Sequence, residues 1–248
     1  EEAEEIAILE MGGADRFNLQ LIRMLTADRW HVTIIATLGL HHPWRRQFEQ
    51  VTSDVFVLPA FLRTYTDQAN FCSYLLASRQ PDVLMVSNSQ FGYSVLPLLS
   101  SVAARLPRRV AIVDYNHMQE VEWRGGGYPR DGVDSQHLMD VNIVASDNLK
   151  QWMVDKGANP DRMRTCYIGV NTTENFPDER VRHQARAKLK IPPDDVVVLF
   201  PARLVAQKQP LVFAQAIARV AMRTPMTVLV AGDGPYRRDF VSAIKSTP

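Results

Sequence analysis

Arg203 and Lys208 stand five residues apart in Phe200-Pro201-Ala202-Arg203-Leu204-Val205-Ala206-Gln207-Lys208-Gln209-Pro210, directly after a β-branched apolar run. A diphosphate needs two positive charges to hold it. A guanidinium binds it bidentately and an ammonium serves as a point charge. If the run is a strand and Pro210 opens a helix, both cations sit where the helix N-terminus points. Two solvated charges around an ordinary strand-to-helix loop would give the same pattern. His117, in Asp114-Tyr115-Asn116-His117-Met118, follows a second apolar run. Ligands of open parallel sheets bind at strand ends. An imidazole there can hydrogen-bond a hydroxyl or carry a proton; a histidine that merely caps the strand end is the competing reading. Gly12 and Gly13, in Met11-Gly12-Gly13-Ala14-Asp15-Arg16-Phe17, follow the run 6–10 and open a helix. Glycine lets backbone approach a phosphate closely, and helix N–H groups can donate to it. Phe17 stands where the third glycine of a dinucleotide fingerprint would fall, which argues against an NAD site. Gly232-Asp233-Gly234-Pro235 repeats the strand, turn and helix order. Its glycines permit close approach of a nucleotide, and Pro235 suits a first helical position. A plain tight turn accounts for either glycine pair taken alone.

The elements that must position these residues alternate. Strands are expected at 6–10, 31–37, 54–59, 83–87, 109–115, 141–145 and 163–168, and again at 196–200 and 227–231. Val110-Ala111-Ile112-Val113 and Val196-Val197-Val198-Leu199-Phe200 carry no polar face, as in strands covered on both sides by helices. Helices are expected at 17–27, 97–105 and 214–222; in the first, Leu19, Ile22 and Leu25 share a stripe with Arg23 opposite. Repeated strand–helix alternation implies right-handed crossovers and a doubly wound α/β sheet. The segment 171–193 breaks the rhythm with Pro177, Pro192, Pro193 and many charges, and reads as a linker with a short surface helix. The domains expected are therefore a Rossmann-like domain at 1–170, a linker at 171–193, and a partial second Rossmann-like domain at 194–248.

A composition of 46% hydrophobic and 22% charged residues is that of a globular chain, and a net charge of +1 gives no field that would select nucleic acid. No apolar run approaches the roughly 20 residues needed to span a bilayer. The acidic start lacks the basic flank of a secretory signal. The expected location is the cytoplasm, with peripheral contact at the cytoplasmic membrane face left open. Cys72 and Cys166 both lie in apolar stretches and are expected as buried free thiols. Cys and His residues are too few at ligand spacing for a structural zinc site.

In their order and spacing these segments resemble the group 1 retaining glycosyltransferases, which have the GT-B fold. Gly12-Gly13-Ala14-Asp15-Arg16 looks like the family's N-terminal glycine loop, and His117 matches the histidine after the fifth strand. Ile168-Gly169-Val170-Asn171 looks like its Asn-Gly-Val-Asp hinge segment. Pro201-Ala202-Arg203 through Lys208 resembles the Gly-Arg…Glu-Lys-Gly diphosphate clamp, and Gly232-Asp233-Gly234-Pro235 is the family's Gly-Asp-Gly-Pro. Ala202 and Gln209 replace glycines that commonly flank the clamp, and Asn171 replaces the usual Asp.

The resemblance implies transfer of a hexosyl or related sugar from a nucleotide-sugar donor to a glycan, lipid-linked or small-molecule acceptor, with retention, as in cell-surface polysaccharide synthesis. Arg203, Lys208, Gly12 and Gly13 would bind the donor diphosphate, and Gly232, Asp233 and Gly234 would lie near the nucleotide. His117 would contact the donor sugar near the reacting carbon. No cofactor and no metal are implied. Trp123-Arg124-Gly125-Gly126-Gly127-Tyr128 would form either an acceptor-side loop with an aromatic platform or a mobile surface loop. The family's downstream pair of glutamates, which binds sugar and ribose, would fall beyond Pro248, so the chain as given is expected to be incomplete for catalysis. The alternatives are a nucleotide-sugar epimerase or a phosphorylase of the same architecture, and a non-catalytic nucleotide-sugar binding module. The two enzymes would need a catalytic carboxylate or a cofactor lysine that the sequence does not display.

Overall fold

A computed structural model describes residues 12–39, 42–120 and 122–245. They fall into two compact units that divide between Gly169 and Val170.

In the first unit the chain runs α1 (Gly13–Ala27), β1 (Ile34–Ala36), α2 (Arg45–Glu49), β2 (Val55–Val57), α3 (Tyr65–Arg79), β3 (Val83–Ser87) and α4 (Gln90–Ala103). It continues through β4 (Ala111–Asn116), α5 (Tyr128–Ser135), β5 (Val141–Val144), α6 (Asp147–Asp155) and β6 (Met163–Thr165). Strands β3-β4-β5-β6 form one parallel sheet and β1-β2 another, with β1 in register with β2 from Ile34↔Val55 to Ala36↔Val57. The expected strand at 6–10 lies outside the described residues. Hydrogen bonds that join the parts include Thr37 Oγ1 with Ser89 Oγ at 3.0 Å, Ser87 Oγ donating to Asn18 Oδ1 at 3.2 Å, and Arg79 Nη1 donating to Thr33 Oγ1 at 2.7 Å. Parallel pairing requires crossovers, and helices supply them on both faces. Tyr93 of α4 reaches the sheet face that carries Asp114, whereas Phe17 of α1 stacks on Tyr115, whose side chain alternates to the other face. The main core packs Leu76, Leu96, Leu99 and Ile112, with a second cluster of Leu149, Met153 and Met163 under β5 and β6.

Helix α4 starts seven residues before the expected 97–105, with Pro97 in its interior. Ser89 supplies the start by accepting from Gly92 N at 2.9 Å. Burial of Tyr93, Val95, Leu96 and Leu99 outweighs an interior proline's penalty of about 3 kcal/mol. Strand β6 ends at Thr165, short of the expected 168, so Cys166 is an exposed thiol rather than a buried one. Cys72 is buried as expected.

The second unit runs α7 (Glu179–Lys188), β7 (Val196–Phe200), α8 (Pro210–Ala221), β8 (Met226–Val230) and α9 (Arg237–Lys245). Helix α7 is the surface helix expected within 171–193. It buries no residue, and Asp178 caps it by accepting from Arg180 N and Val181 N at 2.8 and 3.1 Å. Arg186 donates to the carbonyls of Pro192, Pro193 and Asp195, holding the helix against the start of β7. Strands β7 and β8 pair in parallel from Val196↔Met226 to Phe200↔Val230. Phe213 of α8 and Phe240 of α9 stack with Phe200 at 4.4 and 6.3 Å between ring centroids. Leu199, on the opposite face of β7, remains 56% exposed. Burial of this strand on both faces is therefore not observed among the described residues, because α8 and α9 meet the face that carries Phe200.

Candidate functional site

The first unit places His117 one residue beyond β4. Strand alternation sends Asp114 and Asn116 to one face, and Tyr115 to the other with the His117 ring. On the first face Asp114 is fully buried. Its Oδ2 accepts from Tyr93 Oη at 2.8 Å, Asn116 Nδ2 at 2.8 Å and Asn142 Nδ2 at 2.9 Å. Burial pushes the carboxyl up to about 6, against the lowering effect of those donors. Gln136 extends the network by donating to Asn142 Oδ1 at 2.8 Å and accepting from Asn159 N at 2.6 Å. Gly132 makes room for it: a Cβ there would lie 2.7 Å from Asp114 Oδ2. The network pins the end of β4 to α4, α5 and β5, and so fixes where His117 leaves the sheet.

On the second face three rings meet. Phe17 stacks on Tyr115 at 4.2 Å and meets His117 edge-on at 5.3 Å, while Tyr115 and His117 lie 4.8 Å apart. Tyr115 Oη donates to the Cys166 carbonyl at 2.6 Å. Nε2 of His117 is buried and has no hydrogen-bond partner among the described residues. Burial lowers the imidazole to about 4, so it is uncharged near neutral pH. Of the two roles open to it in the sequence, hydrogen bonding to a hydroxyl fits this uncharged state.

Gly12 and Gly13 form the N-terminus of α1. Gly12 is the extended cap residue, and Arg16 N donates to its carbonyl at 3.0 Å. A Cβ on Gly13 would meet nothing within 4 Å. No packing within the described chain therefore demands glycine at this exposed position. The loop after His117 is tied down rather than loose. Glu120 and Gly126 form an antiparallel bridge, and residues 124–127 all have positive φ, between 49° and 141°. A Cβ on Gly126 would strike the Trp152 ring at 2.2 Å. Trp123 packs edge-on to Tyr128 at 5.0 Å and against the main core, so it is a structural ring and not an open platform. At the start of α5, Asp131 Oδ1 accepts from Arg124 Nη2 at 2.9 Å while its Oδ2 is buried without a partner. Sequence reasoning passed over Asp131 and Phe17; the only signal for Phe17 was a large ring where a glycine fingerprint would have continued.

In the second unit two loops distant in sequence are locked together. Leu204 N donates to the Asp233 carbonyl at 2.8 Å, Tyr236 N to the Leu204 carbonyl at 3.0 Å, and Ala231 N to the Phe200 carbonyl at 3.0 Å. Cβ atoms on Gly232 and Gly234 would lie 1.9 Å from the Ala202 carbonyl oxygen and 2.5 Å from that of Leu204. Gly232 and Gly234 thus serve the chain's own backbone, a reason the sequence did not offer. Asp233 caps its own turn: Oδ1 accepts from Gly234 N at 2.8 Å and Oδ2 from Arg237 Nη1 at 3.2 Å. Pro235 precedes the helix instead of opening it, since α9 begins at Arg237. Arg203 and Lys208 are exposed, and among the described residues neither side chain has a hydrogen bond or ion pair. Lys208 ends a single 3₁₀ turn, and Gln209 then takes a left-handed conformation, φ 50°, before Pro210 opens α8. Among the described residues no group of three or more His, Cys, Asp or Glu side chains gathers to hold a metal ion, and no helix is long and apolar enough to cross a membrane.

The sequence profile of Glycosyltransferase Family 4 matches residues 11–174, the greater part of the chain. The chain belongs to this family. None of the curated proteins is matched by its sequence. Solved structures share its fold. Anabaena HepE in complex with UDP aligns with a TM-score of 0.69 and 16% identity, over 96% of this chain and 62% of that one. A glycosyltransferase from Rickettsia africae aligns with a TM-score of 0.70 and 14% identity, over 96% and 61%. The lipopolysaccharide outer core galactosyltransferase WaaB aligns with a TM-score of 0.64 and 12% identity, over 97% and 62%. The fold is that of GT-B glycosyltransferases, and the chain spans about 62% of the length of such structures.

Proposed function

We propose that this family member moves a sugar from a nucleoside diphosphate sugar to an acceptor, with retention at the transferred carbon, in the assembly of a cell-surface glycan. The observation that carries this reading is the locked pair of loops in the second unit. Backbone bonds between Leu204 and both Asp233 and Tyr236 hold Arg203 in place after β7, where its charge faces solvent without a partner. Lys208, two residues before α8, adds a second cation without a partner among the described residues. Together they neutralise charge that develops on the leaving diphosphate, the electrostatic help that dominates many group transfers. The glycine turn at Gly12 and Gly13, at the N-terminus of α1, offers backbone donors to phosphate oxygens. His117, uncharged, meets a hydroxyl of the donor sugar. Because the charges come from side chains, the proposed reaction uses no metal and no cofactor.

The binding of UDP by HepE belongs to that protein; for this chain UDP is the first donor nucleotide to test. Calorimetry with the full-length protein should show Arg203→Ala and Lys208→Ala each weakening UDP binding by about 1.5–3 kcal/mol, the range for charge-assisted hydrogen bonds. Unchanged affinity in both folded variants would remove the diphosphate assignment.

A further inference from the structure

We propose that Phe17 is a positioning residue for His117: its ring, stacked on Tyr115 and edge-on to the imidazole, fixes that imidazole and keeps water from it. The inference rests on the reading of His117 as a sugar contact and adds the residue that gives it its working state.

The three rings make a closed set, with centroid separations of 4.2, 5.3 and 4.8 Å. Tyr115 cannot turn away, because its hydroxyl is bound to the Cys166 carbonyl and the residue is 2% exposed. Phe17 is the second ring against the imidazole, and it comes from α1, the helix that the glycine turn opens. Its backbone position and the glycine turn therefore move together. An aromatic ring suits this place for two reasons. It covers more area than an aliphatic side chain, and its edge-on contact orients the imidazole plane. With Phe17 in place, Nε2 is buried yet has no hydrogen-bond partner among the described residues. Leaving a buried ring nitrogen unsatisfied is costly, a deficit that a ligand hydroxyl would relieve.

Burial is the cause that lowers His117 to about 4. The titratable group facing it from β4 is Tyr115, whose phenol burial pushes up to about 12, so it stays neutral throughout. On α1 the charged residues nearby in sequence are Asp15, Arg16 and Arg23, and none contributes to the shift. Removing the Phe17 ring should therefore act through hydration alone and bring the imidazole back toward its ordinary value.

The test is a histidine NMR titration of the full-length protein, with His117→Asn identifying the His117 signal. In Phe17→Ala the protonated fraction of His117 at pH 6 should rise from about one in a hundred to about three in four, for a return from about 4 to about 6.5. Phe17→Leu, which keeps an apolar wall and protects the fold, should give a smaller rise. A His117 titration unchanged in either folded variant overturns the proposal, whatever His117 does. UDP-glucose hydrolysis or transfer followed against pH then separates the two claims. Loss of kcat below about pH 6.5 in Phe17→Leu or Phe17→Ala, with KM nearly constant, supports Phe17 acting through His117. A raised titration with an unaltered rate profile supports the proposal for Phe17 but removes the sugar-contact role of His117.

Discussion

Replacement of Gly232 by alanine tests whether the second unit's two motif loops depend on each other. The added Cβ would lie 1.9 Å from the Ala202 carbonyl oxygen and 2.8 Å from its carbon. Ordinary contact needs roughly 3.2 Å or more, so backbone must part by more than an ångström. The listener to that shift is the bond from Leu204 N to the Asp233 carbonyl, 2.8 Å long, with the bond from Tyr236 N to the Leu204 carbonyl beside it. Losing two such bonds costs about 1 kcal/mol each, and residual overpacking adds about 1–3 kcal/mol. A destabilisation of about 3–5 kcal/mol follows. All four tryptophans, Trp30, Trp44, Trp123 and Trp152, lie in the first unit. Tryptophan fluorescence in urea therefore follows the first unit, while hydrogen exchange at amides of β7 and β8 follows the second. Gly232→Ala should leave the fluorescence midpoint in place and sharply lower protection in β7 and β8. Gly13→Ala is the control, since nothing among the described residues lies within 4 Å of its Cβ. It should keep or slightly raise stability, by up to about 1 kcal/mol from helix propensity, while weakening UDP binding if that glycine serves a phosphate. Wild-type protection in Gly232→Ala would refute the claim that its missing side chain is what lets the loops meet.

Two further outcomes are expected. Gln209 holds φ 50°, a left-handed conformation that costs a non-glycine residue about 1–2 kcal/mol; Gln209→Gly, allowing for the extra chain entropy of glycine, should raise protection of α8 by about 0.5–1 kcal/mol, and a loss there would show that the glutamine side chain stabilises the turn. The pH dependence of stability should contain two opposed slopes. Asp114, raised to about 6, is protonated in the folded state before the unfolded one, so stability grows as pH falls from about 6 toward 3.8. His117, lowered to about 4, has the reverse sign: the unfolded state takes the proton first, and stability falls as pH drops from about 6.5 to 4. Asp114→Asn leaves only the second slope, so its urea midpoints should fall more steeply than wild type between pH 6.5 and 4, by an amount on the order of 2–3 kcal/mol. Parallel curves would mean that the buried carboxyl does not carry the charge assigned to it.

The residue sequence by itself determined the alternation of strands and helices, the surface helix within 171–193, and the segment that carries Arg203 and Lys208. These are local properties: apolar periodicity, proline placement and charge spacing leave their mark within ten or so neighbouring residues. It also suggested glycine turns without saying what each turn was for. The reasons differ, and tertiary contact alone separates them. Among the described residues nothing lies near a Cβ on Gly13, whereas Gly232 and Gly234 are pressed against the carbonyls of residues 202 and 204, some thirty positions away. The same limit explains α4, where burial of Leu96 and Leu99 carries a helix through Pro97 that local propensity would have ended. It explains His117 most of all. Its charge state depends on Phe17, one hundred positions earlier, and its placement on a network that joins Asp114 to Tyr93, Asn142 and Gln136. Burial is a sum over neighbours brought from everywhere in the chain, so hydration, protonation and the need for a missing side chain are decided only when those neighbours arrive.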